Sequence, residues 1–271
     1  TAMHPRLPLT DPELSTVFGG GLTSGSLTLL AGPPGAGKTT LLMQLCSDVA
    51  RHGKVLYVTG EENSAQLVDR ARRLRLPQAD NVDVWAENDA DAVAHAAADP
   101  KPTHGMGEAK PYRLVVVDSM QTMVCSGGLS ASSSNAPGGV AMVRAVANLM
   151  MRLSKGARCA VVLVGHVTRG DSVAGPRAVE HMVDTVLVLE EGEGDVRVVR
   201  VKKNRFGSAE EVGVFRMADG DRGGMLRPVD DASRMFMEGR NEEADVDGCA
   251  TVVATEGSRC IAVEVQALVV P

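Results

Sequence analysis

Aromatic residues are scarce in this chain: one Trp, two Tyr and four Phe make up 3% of its 271 residues, so the 44% hydrophobic content is almost wholly aliphatic. That length supports one large domain, or one domain and part of another. No run of about 18 apolar residues occurs, which excludes a helical membrane span. The opening "TAMHPRLPLTDPEL" has neither the basic stretch nor the apolar core of a secretion signal. Cysteine is also sparse. Cys46, Cys125, Cys159, Cys249 and Cys260 are odd in number, scattered and form no CxxC pair. This excludes a disulfide framework and a zinc knuckle and implies a soluble protein of a reducing compartment. An excess of basic charge is missing too. The net charge is -6, so any nucleic-acid contact is confined to patches. One such patch, "RARRLR" at 70–75, has a helical rhythm with Leu74 and Leu76 and reads as a solvated helix face; the other is the opening stretch.

What is present is an alternation of buried strands and helices. "SLTLLAG", "KVLYVTG", "RLVVVDS" and "CAVVLVGH" are continuous apolar strands, and "KTTLLMQLCSDVARHG", "SAQLVDRARRLRL" and "VAMVRAVANLMMRLSKG" are helical. Apolar strands alternating with helices predict an α/β fold: a mostly parallel central sheet flanked by helices. Asn63 or Ser64, with Gln66 reaching back, starts the second helix. After Val173 the strands "TVLVLEE", "DVRVVRVKK" and "EVGVFRM" follow closely and predict an antiparallel extension. The expected organisation is a large α/β domain over 1–217, a charged linker over 218–247 with a short helix in "DDASRMFM", and the start of a further domain over 248–271, a hairpin turning at Glu256, Gly257 and Ser258. The stretch "ADPKPTHGMGEAKPY" reads as a surface insertion. No internal repeat is found.

"GPPGAGKT" follows a strand and opens a helix, as a phosphate-binding P-loop does. Backbone N–H groups of Gly32, Pro33, Pro34, Gly35, Ala36, Gly37, Lys38, Thr39 and Thr40, prolines excepted, can turn inward around ATP. Lys38 meets the outer phosphates and the Thr39 hydroxyl holds magnesium. Asp118, ending the strand "LVVVDS", is the second magnesium anchor, directly or through a water. Glu61 and Glu62, at the tip of the strand after the P-loop helix, are both candidate bases for the attacking water; an exposed acidic loop is the alternative. "VGHVTRG" offers His166, Thr168 and Arg169 at the next strand tip. "VKKNRFGS", at 201–208, is open to three readings: a solvated turn, a nucleic-acid contact, or part of a catalytic site.

Taken together these blocks resemble the RadA (Sms) DNA-repair ATPases of the RecA-like superfamily. "FGGGLTSGSLTLLAGPPGAGKTTLL", "VLYVTGEENSAQLVDRARRL", "NAPGGVAMVR" and "GHVTRGDSVAGPRAVEHMVDTVLVLE" follow that family's order, and "KNRFG" is similar to its signature pentapeptide. The resemblance implies a RecA-like core with ATP and Mg2+, a homohexameric ring, single-stranded and branched DNA as partners, branch migration, and cooperation with a RecA-type recombinase. It implies bacterial cytoplasm, or a plastid or mitochondrion in a eukaryote, and no membrane. Carried onto this chain, Lys203 and Arg205 are candidates for a finger reaching a neighbouring subunit's nucleotide. They should then look unused in a lone subunit, exposed and far from its own Lys38. The segment from Cys125 to Val140 and "RGDSVAGPR" correspond to DNA-facing loops, with Arg144, Arg169 and Arg177 as DNA contacts. The family's four-cysteine zinc module has no counterpart here, so no zinc is expected in this chain, and its Lon-protease-like last domain is represented by one hairpin. Pro33 and Ala36 stand where the family commonly has an acidic residue and isoleucine. Two other readings are a clock-type assembly ATPase gated by nucleotide, and a P-loop domain that binds nucleotide without turnover.

Overall fold

In the computed structural model the described residues are 5–100, 110–127, 136–166, 176–192, 194–218, 224–229, 249–256 and 259–267. The chain opens with β1 (Arg6–Leu7), α1 (Pro12–Val17) and β2 (Leu22–Thr23), and then enters the main sheet. There follow β3 (Leu27–Gly32), α2 (Lys38–Val49), β4 (Lys54–Thr59), α3 (Ser64–Arg73), β5 (Val82–Ala86), α4 (Ala90–Ala98), β6 (Tyr112–Asp118), α5 (Val140–Ala157) and β7 (Ala160–His166). β8 (Thr185–Glu191), β9 (Val196–Asn204), β10 (Val212–Ala218) and β11 (Met225–Pro228) complete a sheet of order β11-β10-β9-β8-β3-β7-β6-β4-β5. From β8 to β5 the strands are parallel, and β9, β10 and β11 are antiparallel; the expected antiparallel extension is found, except that β8, read as part of it, runs parallel to β3, and β11 joins it.

The central stretches of β3, β4, β6 and β7 are largely apolar because both faces are covered. Leu30, Tyr57, Val116 and Val162 pack with Leu41, Leu42 and Leu45 of α2 on one face. Their strand neighbours Leu29, Val58, Val117 and Val161 pack with Val143, Val146 and Met150 of α5 on the other. The alternation follows from the period of two in an extended chain. Helix starts are fixed locally. The Asp11 carboxylate accepts the N–H groups of Glu13 and Leu14 ahead of α1, and Asn63 and Gln66 form the expected capping box on α3. In α3 only Leu67 is buried, so the arginine patch is a solvated face, as read.

Sequence reading misses β5 and α4, which are short and rich in alanine and aspartate. It also sets the domain boundary too early. β11 lies inside the stretch read as a linker, yet Leu226 is fully buried and Gln44 of α2 brackets its backbone, accepting from its N–H at 2.9 Å and donating to its carbonyl at 2.7 Å. The expected helix in "DDASRMFM" lies outside the described residues, as does most of the surface insertion. β12 (Cys249–Glu256) and β13 (Arg259–Gln266) form the expected hairpin, a separate two-stranded sheet. Among the described residues, no helix is long and apolar enough to cross a membrane.

Candidate nucleotide site

The site begins where β3 ends. A Cβ on Gly32 would lie 2.6 Å from the Leu189 carbonyl oxygen, so only glycine lets β3 run this close to β8 and launch the loop. The loop then turns with Gly37 left-handed at the N-cap of α2 and no side chain capping it. The first N–H groups of the helix are left for an anion. A Cβ at Gly35 would meet nothing within 4 Å, so the loop is open at that position. Lys38, 5% exposed, donates to the carbonyls of Gly32 at 3.0 Å and Pro33 at 2.8 Å. Burial lowers its pKa, opposed by the negative charges of Asp118 and Glu61.

Asp118 ends β6 beside Thr59 of β4. Its Oδ2 accepts the Thr39 hydroxyl at 3.0 Å and the Tyr57 hydroxyl at 2.6 Å. A hydroxyl and a carboxylate facing an open phosphate cradle are hard oxygen donors suited to magnesium. Ligand atoms of Glu61, Asp118 and His166 lie within 4.8 Å of one another.

The structure separates the two glutamates that the sequence leaves equivalent. Glu61 Oε1 accepts the Ser119 hydroxyl at 2.5 Å and lies 3.0 Å from His166 Nε2. Glu62 turns instead to α3, where its Oε1 pairs with Arg70 at 3.0 Å. Gly60 makes this possible. Its N–H donates to the Asp118 carbonyl at 2.9 Å, and a Cβ there would fall 2.1 Å from the Thr122 hydroxyl oxygen. Gly60→Ala is therefore expected to cost about 1–3 kcal/mol, as overpacking does, in urea denaturation.

Lys203 and Arg205 stand at the opposite end of the sheet from Lys38. Lys203 and Asn204 pair with Val186 and Thr185, and Thr185 lies beside Thr28 near the start of β3, whereas the P-loop leaves its end. This matches the expected distance, but the expectation that both look unused is corrected. Lys203 Nζ donates to the carbonyls of Glu180, His181 and Val183 at 2.9, 3.3 and 2.7 Å, because that turn points its carbonyls at the strand end. Burial, then the Arg205 charge, lowers its pKa. Arg205 is 56% exposed but pairs with the buried Asp184 at 3.2 Å. Gly207 packs against Gly19, and Asn204 Oδ1 accepts the Phe206 N–H at 2.9 Å.

Arg144, exposed on α5, donates to the Ala178 carbonyl at 3.3 Å, which brings it beside exposed Arg177. Thr168 and Arg169 lie outside the described residues, as does 128–135 of the first expected DNA loop. Sequence reading overlooks Tyr57, Ser119, Gln121 and Arg197. Gln121 donates to the His166 carbonyl at 3.3 Å, and Arg197 Nε donates to the Ala36 carbonyl at 3.2 Å. Tyr57 carries a signal, since a phenol in an aliphatic buried strand needs a polar partner; for the others no local pattern exists.

A sequence-family model described as an AAA domain matches residues 6–172. DNA repair protein RadA of Pseudomonas aeruginosa is 43% identical over 266 residues, that of Brucella abortus 43% over 270, and that of Listeria monocytogenes 41% over 268. Each alignment covers 98% of this chain and 54% of the relative, so the chain spans about half the length of the curated relatives it matches. A crystal structure of the RadB recombinase superposes with a TM-score of 0.57 at 20% identity, covering 81% of this chain and 98% of that one, a likeness of fold. With the P-loop, Asp118 and the parallel sheet in place, the chain belongs to the RadA (Sms) family, with an AAA domain and a RecA-like fold.

Proposed function

We propose that the protein is a DNA-dependent ATPase of recombinational repair, acting as a homohexameric ring that binds single-stranded DNA and promotes branch migration beside a RecA-type recombinase. The relatives' name, DNA repair protein RadA, supports the pathway. The observation that carries the hydrolytic reading is Glu61, held by Ser119 and His166 beside Asp118 and Lys38. Oε1 of that carboxylate takes both donors, and Oε2 has no partner among the described residues. Such a carboxylate can take a proton from water as the water oxygen bonds to the terminal phosphorus of ATP. The bond from that phosphorus to the β–γ bridging oxygen breaks, and its electron pair leaves with ADP. Lys38 exchanges the carbonyls of Gly32 and Pro33 for phosphate oxygens, and the open loop at Gly35 receives the chain of phosphates. Magnesium, held by Thr39 and by Asp118 directly or through a water, neutralises phosphate charge when bound.

In this reading Arg144 and Arg177 contact the DNA backbone. Arg205, and Lys203 once it leaves its three carbonyls, add positive charge at a neighbour's nucleotide. The test is ATP turnover by the full-length protein with and without single-stranded DNA. Turnover is expected to rise with DNA and to vanish in Lys38→Ala. If DNA neither binds nor alters turnover in folded protein, the repair-motor reading fails; rings formed by ATP alone, indifferent to DNA, would support a clock-type assembly ATPase.

A further inference from the structure

Tyr57 is one of two tyrosines in the chain and lies 2% exposed in the middle of β4, packed in the aliphatic cluster between the sheet and α2. A phenylalanine would bury the same ring there without a hydroxyl to satisfy. An unpaired hydroxyl in such a core costs about 1–3 kcal/mol, so what the oxygen meets is informative. It donates to Asp118 Oδ2 at 2.6 Å, with the Thr39 hydroxyl also against it. The same carboxylate oxygen takes the Thr39 hydroxyl at 3.0 Å, while Oδ1 receives no hydrogen bond from the described residues. The two donors differ in what carries them. Thr39 belongs to the first turn of α2 and moves with the P-loop; Tyr57 belongs to the sheet, two residues along β4 from Thr59, the neighbour of Asp118.

We propose that Tyr57 is a positioning residue for the metal-anchoring carboxylate. Its hydroxyl ties Asp118 Oδ2 to the sheet and so fixes the plane of the carboxylate while Thr39 and the P-loop close on nucleotide. Partners of this kind, one step behind a metal ligand, orient the ligand without touching the metal.

The inference rests on the ATP-hydrolysis reading, and Tyr57→Phe in the full-length protein tests it. Mn2+ titration of the ATP-bound protein, followed by electron paramagnetic resonance, is expected to show half-saturation at about 10-fold higher metal, with kcat lowered by a similar factor, the lower end for lost partners of metal ligands. ATP binding in excess EDTA should be unchanged, because the P-loop and Lys38 are untouched. The control is Asp118→Asn: if Tyr57 acts through Asp118, adding Tyr57→Phe to that variant has no further effect on metal affinity. Unchanged metal affinity and kcat in a folded Tyr57→Phe protein overturns the proposal, as does a metal defect that persists undiminished in the Asp118→Asn background. Should the wild-type protein turn over no ATP, the functional reading fails, while the metal titration still decides the role of Tyr57.

Discussion

Glu61→Gln is expected to lower kcat by roughly 10²–10⁴-fold, the contribution of a positioned general base, while ATP binding stays close to that of the unchanged protein. Glutamine keeps the size and one acceptor oxygen, so the hydrogen bond from Ser119 survives and what is lost is the capacity to take a proton. Glu62→Gln should behave differently. Its carboxylate pairs with Arg70, both side chains being about a quarter to a third exposed, and such a partly screened pair stabilises by no more than about 1 kcal/mol. A small fall in stability with turnover close to normal is the expected result. Single-turnover hydrolysis and fluorescent-nucleotide binding on the two variants separate the roles. If Glu62→Gln were the inactive one, Glu62 would have to leave Arg70 when nucleotide binds, and Glu61 would not be the base.

This contrast marks what the sequence can and cannot disclose. The P-loop was legible because its chemistry is built from contiguous backbone: Gly32, Gly35 and Gly37 supply the turn, and Lys38 and Thr39 follow in fixed register. Asp118 was legible because the end of a buried apolar strand leaves few positions for a carboxylate. Glu61 and Glu62 are neighbours with identical side chains, and what divides them comes from elsewhere: Ser119 after β6, His166 at the end of β7, Arg70 on α3, and the clearance at Gly60 that Thr122 leaves to no larger residue. None of these separations, from a few residues to more than a hundred, forms a local pattern. β11 was missed for a related reason. Four residues flanked by charged, glycine-rich chain have no period to read, and it is Gln44 of α2, far away in sequence, that secures them. The basic pentapeptide at 203–207 was recognisable as a block, but composition said nothing of what its cations touch.

What they touch leads to the largest expected effect on stability. Asp184 is 5% exposed and joins four parts of the chain. Its Oδ2 accepts the Leu27 N–H at the start of β3 and Lys155 from the last turn of α5, its Oδ1 accepts Arg205, and its backbone bonds Leu27 and Arg205 again. Asp184→Ala strands a buried N–H and leaves two cations without their carboxylate. The expected loss is about 2–4 kcal/mol in urea denaturation: the stranded buried N–H costs about 1–3 kcal/mol, and Lys155 and Arg205, both more than half exposed, lose about 1 kcal/mol or less each. Asp184→Asn keeps an acceptor for Leu27 and should lose less. Arg205→Ala removes only an exposed partner, and about 1 kcal/mol or less is expected. The difference bears on the proposed ring. If Arg205 serves only Asp184, Arg205→Ala should be slightly less stable and otherwise active. If it also reaches a neighbour's nucleotide, turnover should collapse although the fold is nearly intact. Mixing Arg205→Ala with Lys38→Ala subunits should then restore part of the turnover, since an intact Lys38 site on one subunit can meet an intact Arg205 from the next. Failure of mixed rings to recover activity would leave the pentapeptide as the junction that Asp184 holds together.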